Sequence, residues 1–155
     1  DVVSALPKEI STKGQKVAVI TPFYSVINKK KYAIKYSDIK GNILLGDKNF
    51  EYELYQYKTD NGVDVFFVKN DHFFNRTGIY TDVTGEGHTD NFQRFLFLQY
   101  VVIDLIDRGL FSTKLIHCND HHTALIPWMF KIRKINISTL LTIHNAKYQG
   151  WFWFD

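Results

Sequence analysis

Two segments of this chain end an apolar run abruptly in hydrogen-bonding side chains. Leu140-Leu141-Thr142-Ile143 runs into His144-Asn145-Ala146-Lys147-Tyr148-Gln149-Gly150, and Lys114-Leu115-Ile116 runs into His117-Cys118-Asn119-Asp120-His121-His122. In an open α/β sheet, ligands bind just beyond the carboxyl ends of the strands. Two such tips suggest one cleft, and polar groups of this kind suit a sugar or a phosphate. His144 could act there as an acid or base or as a hydroxyl-binding group. Asn145, Tyr148 and Gln149 add hydrogen-bonding capacity, and Gly150 lets the backbone turn sharply or approach a ligand closely.

The His117, Asp120, His121 and His122 cluster admits three readings. Asp120, His121 and His122 could bind hydroxyls or phosphate at the start of the following helix. Asp120 could merely cap that helix. The cluster could also ligate a metal, as in a metal-dependent phosphoesterase, but a metal needs three or four converging ligands and no second cluster supplies the rest. A third constellation, Asn75-Arg76-Thr77-Gly78-Ile79-Tyr80-Thr81-Asp82, is either a glycine turn with Arg76 in a surface ion pair or a loop offering Tyr80 as a sugar platform. Neither a serine nucleophile elbow nor zinc-ligand spacing is present, and Gly85-Glu86-Gly87 follows no apolar strand, as a phosphate loop would.

These tips need elements to carry them. Val2, Val3, Leu6 and Ile10 share one face of an expected helix over 1–13, with Pro7 inside it and Gly14 as its stop. Val17-Ala18-Val19-Ile20 reads as a buried strand, and 25–40 as a loop with short strands. Phe50, Tyr52, Leu54, Tyr55 and Tyr57, the Thr59-Asp60-Asn61-Gly62 turn and Val63–Val68 read as a β-hairpin. A long polar insertion over 70–87 follows. Thr89 or Asp90 then caps a helix reaching Gly109 that is apolar nearly all round and so should be buried. A strand over 115–117, a helix over about 122–134 with Pro127 in its first turn, and a strand over 138–143 complete the order. Alternation of strands and helices predicts an α/β fold: a Rossmann-like, doubly wound, mostly parallel sheet with a β-hairpin insertion.

Composition sets the limits. The 155 residues suit one domain, 45% of them are hydrophobic, and the aromatic share of 16% suits a Phe-rich core. A net charge of +3, spread along the chain, gives no basis for a nucleic-acid partner. One cysteine, Cys118, excludes an intrachain disulfide and fits a reducing compartment. No apolar run has the ~20 residues of a membrane span and no signal peptide is visible, so a cytoplasmic protein without membrane partners is expected. Asp1 opens directly into a helix without an initiator Met, as an internal piece of something longer would.

Taken in order, these segments resemble the bacterial glycogen synthase and plant starch synthase family. The matching residues are Asp1-Val2-Val3-Ser4-Ala5-Leu6-Pro7, Gly14 through Val17-Ala18-Val19 to Pro22 and Tyr24, Phe74-x-Arg76-x-Gly78-x-Tyr80, and Asp90-Asn91-x-x-Arg94-Phe95. They continue with Ile116-His117-x-x-Asp120-x-His122-Thr123-Ala124-Leu125-x-Pro127 and Thr142-Ile143-His144-Asn145-x-x-Tyr148-Gln149-Gly150. The family's His-x-His-Asp-Trp-His is altered here: Asn119 and His121 stand where it has a His and a Trp.

The resemblance implies a GT-B glycosyltransferase with two Rossmann-like lobes across a cleft. Such an enzyme transfers glucose, with retention, from ADP-glucose (or UDP-glucose) to the non-reducing 4-hydroxyl of an α-1,4-glucan. It needs no metal or other cofactor, the nucleotide sugar being a co-substrate. Residues 1–155 would be the N-terminal, acceptor-side lobe, truncated at both ends: a Lys-x-Gly-Gly-Leu loop and a first strand would precede Asp1, and the donor-binding lobe would follow. By the same resemblance Asp1, Asp120 and His144 are catalytic, Tyr80, His122, Asn145 and Gln149 bind substrate, and the isolated piece is inactive. A non-catalytic glucan-binding module is the other alternative.

Overall fold

The computed structural model describes residues 2–147 and 150. Helix α1 (Val2–Thr12) contains Pro7 and ends as expected: Gly14 takes φ +77, and its N–H and that of Gln15 return to the carbonyls of Ser11 and Ile10. Strand β1 (Ala18–Pro22) pairs in parallel with β4 (Asp64–Lys69). The expected hairpin is β3 (Lys48–Lys58) with β4, closed by the Thr59–Val63 turn, where Gly62 takes φ +80.

A second hairpin lies partly within 25–40, where a loop with short strands was expected. β2 (Lys35–Leu45) is eleven residues long and pairs antiparallel with β3. Its two-residue Gly46-Asp47 turn, with φ +61 at Gly46, fits the twist of a tight hairpin. The strand carries an irregularity between Tyr36 and Lys40, and Asp38 there has φ +62. The resulting sheet, in the order β1-β4-β3-β2, is mixed, whereas a mostly parallel one was expected. The parallel pair β5 (Leu115–Asn119) and β6 (Ser138–Thr142) forms a separate two-stranded sheet.

The polar insertion opens with a single turn, α2 (Asp71–Phe74), and is followed by the long helix α3 (Asn91–Asp107). α3 is buried on two sides, as its nearly continuous apolar sequence requires. Phe97, Leu98, Val101 and Leu105 pack with Ile43, Tyr52, Leu54, Val68, Phe73 and Phe74 of the four-stranded sheet and α2. Val102 and Ile103 pack with Cys118, Ile126, Met129 and Phe130 of β5 and α4 (Ile126–Arg133). α4 starts later than expected, because Pro127 occupies its first turn and residues 121–125 form turns instead. Leu115, Leu140 and Ile143, at or beside the strands of the smaller sheet, remain exposed.

Phe97 is fully buried, with its ring 4.9 Å from Phe73 and 6.0 Å from Phe74. Phe97→Ala should therefore cost about 3–5 kcal/mol, read as a lowered midpoint in urea denaturation.

Candidate functional site

Parallel pairing brings the carboxyl ends of β5 and β6 to one edge, with Asn119 opposite Thr142. The ladder continues one step further, since the Asp120 N–H donates to the Thr142 carbonyl at 2.8 Å. Asp120 then turns into the left-handed region, φ 55, where a short polar side chain is among the few that sit readily. The turn aims its carboxylate back across the edge, where Oδ1 accepts the His144 backbone N–H at 2.7 Å. Asp120 is thus committed to His144, and its side chain does not cap α4. His144 Nε2 lies 2.9 Å from Asn119 Oδ1. The two strand tips are fastened to each other through the residues that the sequence singled out.

His117 is spent on structure, with Nε2 2.7 Å from Thr142 Oγ1. His122 packs among aromatic rings, its own 4.4 Å from Phe95 edge-on and 5.3 Å from Tyr80. His121 stacks on His122 at 3.8 Å. Burial, with the neighbouring His121, pushes the His122 pKa down to about 4 against the pull of Asp120, so the ring is neutral near pH 7. Among the described residues no group of three or more His, Cys, Asp or Glu could hold a metal ion. The metal reading therefore has no ligand set.

Tyr80 is half exposed, with one side against His122 and Phe95. Burial, and then the charge of Asp120, raise its phenol pKa, so it stays protonated and can donate. Its backbone is anchored from α3. Asn91 Nδ2 donates to the Tyr80 carbonyl at 3.0 Å, and the buried Arg94 donates to the carbonyls of Ile79 and Phe73. Arg76 makes the ion pair expected of it, both guanidinium ends 2.6 Å from Asp90, which removes Asp90 as a side-chain cap of α3. Gly78 has φ +77, and a Cβ there would collide with the Thr81 carbonyl. Asn91, Arg94 and Phe95 carry the Tyr80 loop. An arginine inside a largely apolar helix was the sequence signal for that duty.

Asn145 is exposed, and its Oδ1 accepts the Lys147 N–H at 3.0 Å; its amide nitrogen makes no hydrogen bond among the described residues. Gly150 takes φ +71 and comes so near His121 that a Cβ would be 2.7 Å from its ring. Close approach to a ligand, or a sharp turn, was the role expected of it; the neighbour it approaches here is His121. Asp1 and Gln149 lie outside the described residues. The assembled edge therefore presents Asp120, His144, Tyr80 and the Asn145 amide, a hydroxyl-matching surface beside an aromatic ring, while His122, expected to bind substrate, packs against Tyr80 and Phe95 with its Nε2 buried.

Two outcomes follow. The unfolded chain protonates His122 near its ordinary value of 6.5, whereas the folded protein does so only near 4. Over that window the unfolded state binds more protons, so the group removes stability as pH falls from about 6.5 to about 4. His122→Gln should lose less stability on acidification than the parent chain, measured by urea midpoints at both ends of the window. Equal losses would contradict it. Gly78→Ala should displace the Tyr80 loop, seen as shifted amide signals confined to residues 76–82 and the start of α3.

The family model described as "Starch synthase catalytic domain" matches residues 1–155. Among curated proteins, the chain is 35% identical to a glycogen synthase of Flavobacterium johnsoniae, covering 100% of this chain and 33% of the relative. It is likewise 35% identical to a glycogen synthase of Lactobacillus acidophilus, covering 97% and 31%. The chain thus spans about a third of the length of these relatives. Its fold is similar to the catalytic domain of starch synthase IV from Arabidopsis thaliana, solved with ADP and acarbose, at TM-score 0.80 and 24% identity over 97% of this chain and 31% of that one. With the whole chain matched, it belongs to the starch synthase catalytic domain family.

Proposed function

We propose that this chain is the N-terminal, acceptor-side lobe of a retaining glucosyltransferase of glycogen or starch synthesis. The carrying observation is the Asp120–His144 bond at 2.7 Å, which fixes two hydroxyl-matching groups at one sheet edge beside Tyr80. The whole protein would move glucose from a nucleotide sugar to the non-reducing 4-hydroxyl of an α-1,4-glucan. ADP-glucose is the donor we favour over UDP-glucose, since the structurally similar starch synthase carries ADP. The remaining wall of the cleft would come from a C-terminal lobe of the same protein, with no metal or other cofactor. The buried, unpaired thiol of Cys118 fits a cytoplasmic setting.

The chemistry follows from the groups present. Glucosyl transfer passes through an oxocarbenium-like state while negative charge builds on the departing diphosphate. This edge is suited to holding the sugar and favouring a cationic ring. Asp120 adds negative charge near the site and keeps the His144 backbone in place. The neutral Tyr80 offers a ring face and a hydroxyl. Stabilising the diphosphate needs cations or helix N-termini from the second lobe. Asp1 and Gln149 join the proposed site through the family resemblance.

The unpaired outer edges of β1 and β5 among the described residues, with the exposed Leu115, Leu140 and Ile143, support reading the chain as part of a larger sheet. A phosphoesterase is not favoured, because His117 is bonded to Thr142 and no group of three or more His, Cys, Asp or Glu among the described residues could hold a metal ion. In the full-length protein, His144→Ala and Asp120→Ala should each lower kcat/KM for ADP-glucose by about 10²-fold, the scale of lost positioning. Unchanged transfer in both would overturn the reading. The 155-residue chain alone should transfer no glucose, in an assay of glucan extension.

A further inference from the structure

We infer that Asn119 is a positioning residue for His144, holding the imidazole as its Nε2–H tautomer so that Nδ1 is left to accept a hydrogen bond from a ligand hydroxyl. The tautomer depends on which end of the Asn119 amide is which. One end lies 3.3 Å from the His117 carbonyl oxygen. A carbonyl only accepts, so that end must be the NH2 group. The other end is then Oδ1, which lies 2.9 Å from His144 Nε2. Oδ1 also only accepts, so Nε2 must carry a proton. A neutral imidazole has one N–H, and Nδ1 is therefore bare.

Asn119 is built to hold this orientation. Its backbone N–H donates to Thr123 Oγ1 at 2.7 Å, and the same hydroxyl lies 3.0 Å from the Asn119 carbonyl. His144 is gripped at two points by consecutive residues, its ring by Asn119 and its backbone N–H by Asp120. Its side chain is exposed, and among the described residues its ring makes no other hydrogen bond. A ligand hydroxyl must therefore donate to His144, and replacing that hydroxyl by fluorine would remove the bond. Naming the ligand as a sugar rests on the glucosyltransferase reading. The grip itself does not.

The test is nitrogen-15 NMR of the ligand-free protein, with the His144 ring assigned by its loss in His144→Gln. Above the imidazole titration range, the expected spectrum has Nδ1 as an unprotonated nitrogen and a one-bond Nε2–H cross-peak sheltered from water exchange. Asn119→Ala should lose that cross-peak to exchange. Asn119→Asp, which keeps an oxygen at the same point, should retain it. A proton on Nδ1, no sheltered cross-peak in the parent protein, an unchanged cross-peak in Asn119→Ala, or its loss in Asn119→Asp would overturn the proposal. Should Asn119→Ala not fold, the parent spectrum and Asn119→Asp still decide. No sugar is needed, so failure here is distinct from failure to transfer glucose.

Discussion

The hydrogen bond from the His144 N–H to the Asp120 carboxylate is the constraint on which the site depends. It is available only because β5 and β6 run parallel and end together, and because Asp120 leaves the strand with φ 55. A residue that continued the extended backbone would point its side chain out of a sheet face, not across the edge to the neighbouring tip. Holding a non-glycine residue in the left-handed region costs about 1 kcal/mol or more. The charge-assisted hydrogen bond and the extra rung from the Asp120 N–H to Thr142 offset it.

The rest of the fold serves that edge through α3. Its two buried sides join the four-stranded sheet to the β5–β6 pair. Gln99 links it directly to the turns before α4, accepting the Leu125 N–H at 2.8 Å. Its first turns reach the Tyr80 loop through Asn91 and Arg94. Burying Arg94 is expensive unless its donors are used; Nε donates to Phe73 and Nη1 to Ile79 and Asn91, while Nη2 has no hydrogen-bond partner among the described residues. One helix thereby fixes the distance between the aromatic platform and the strand tips.

Most of this was legible in the sequence. The alternation of apolar strands with helices announced the α/β class, and the polar tips at 117–122 and 144–150 announced the site's edge. The strand β2 was hidden because Ser37-Asp38-Ile39-Lys40-Gly41 has turn-like composition. What makes it a strand is pairing with β3, a tertiary effect on weak local propensity. The start of α4 was misjudged because Asp120 looked like a cap, while its carboxylate was committed to a strand distant in sequence. Asn119 departs from the family pattern, and its partner His144 is likewise set by strand pairing, which spacing along the chain does not reveal.

The most direct measurement is a crystal structure of the full-length protein with ADP and a maltooligosaccharide. Sugar density is expected against Tyr80 and within hydrogen-bonding distance of His144, with the Asp120–His144 bond intact. Sugar bound elsewhere in a closed cleft, with this edge empty, would contradict it.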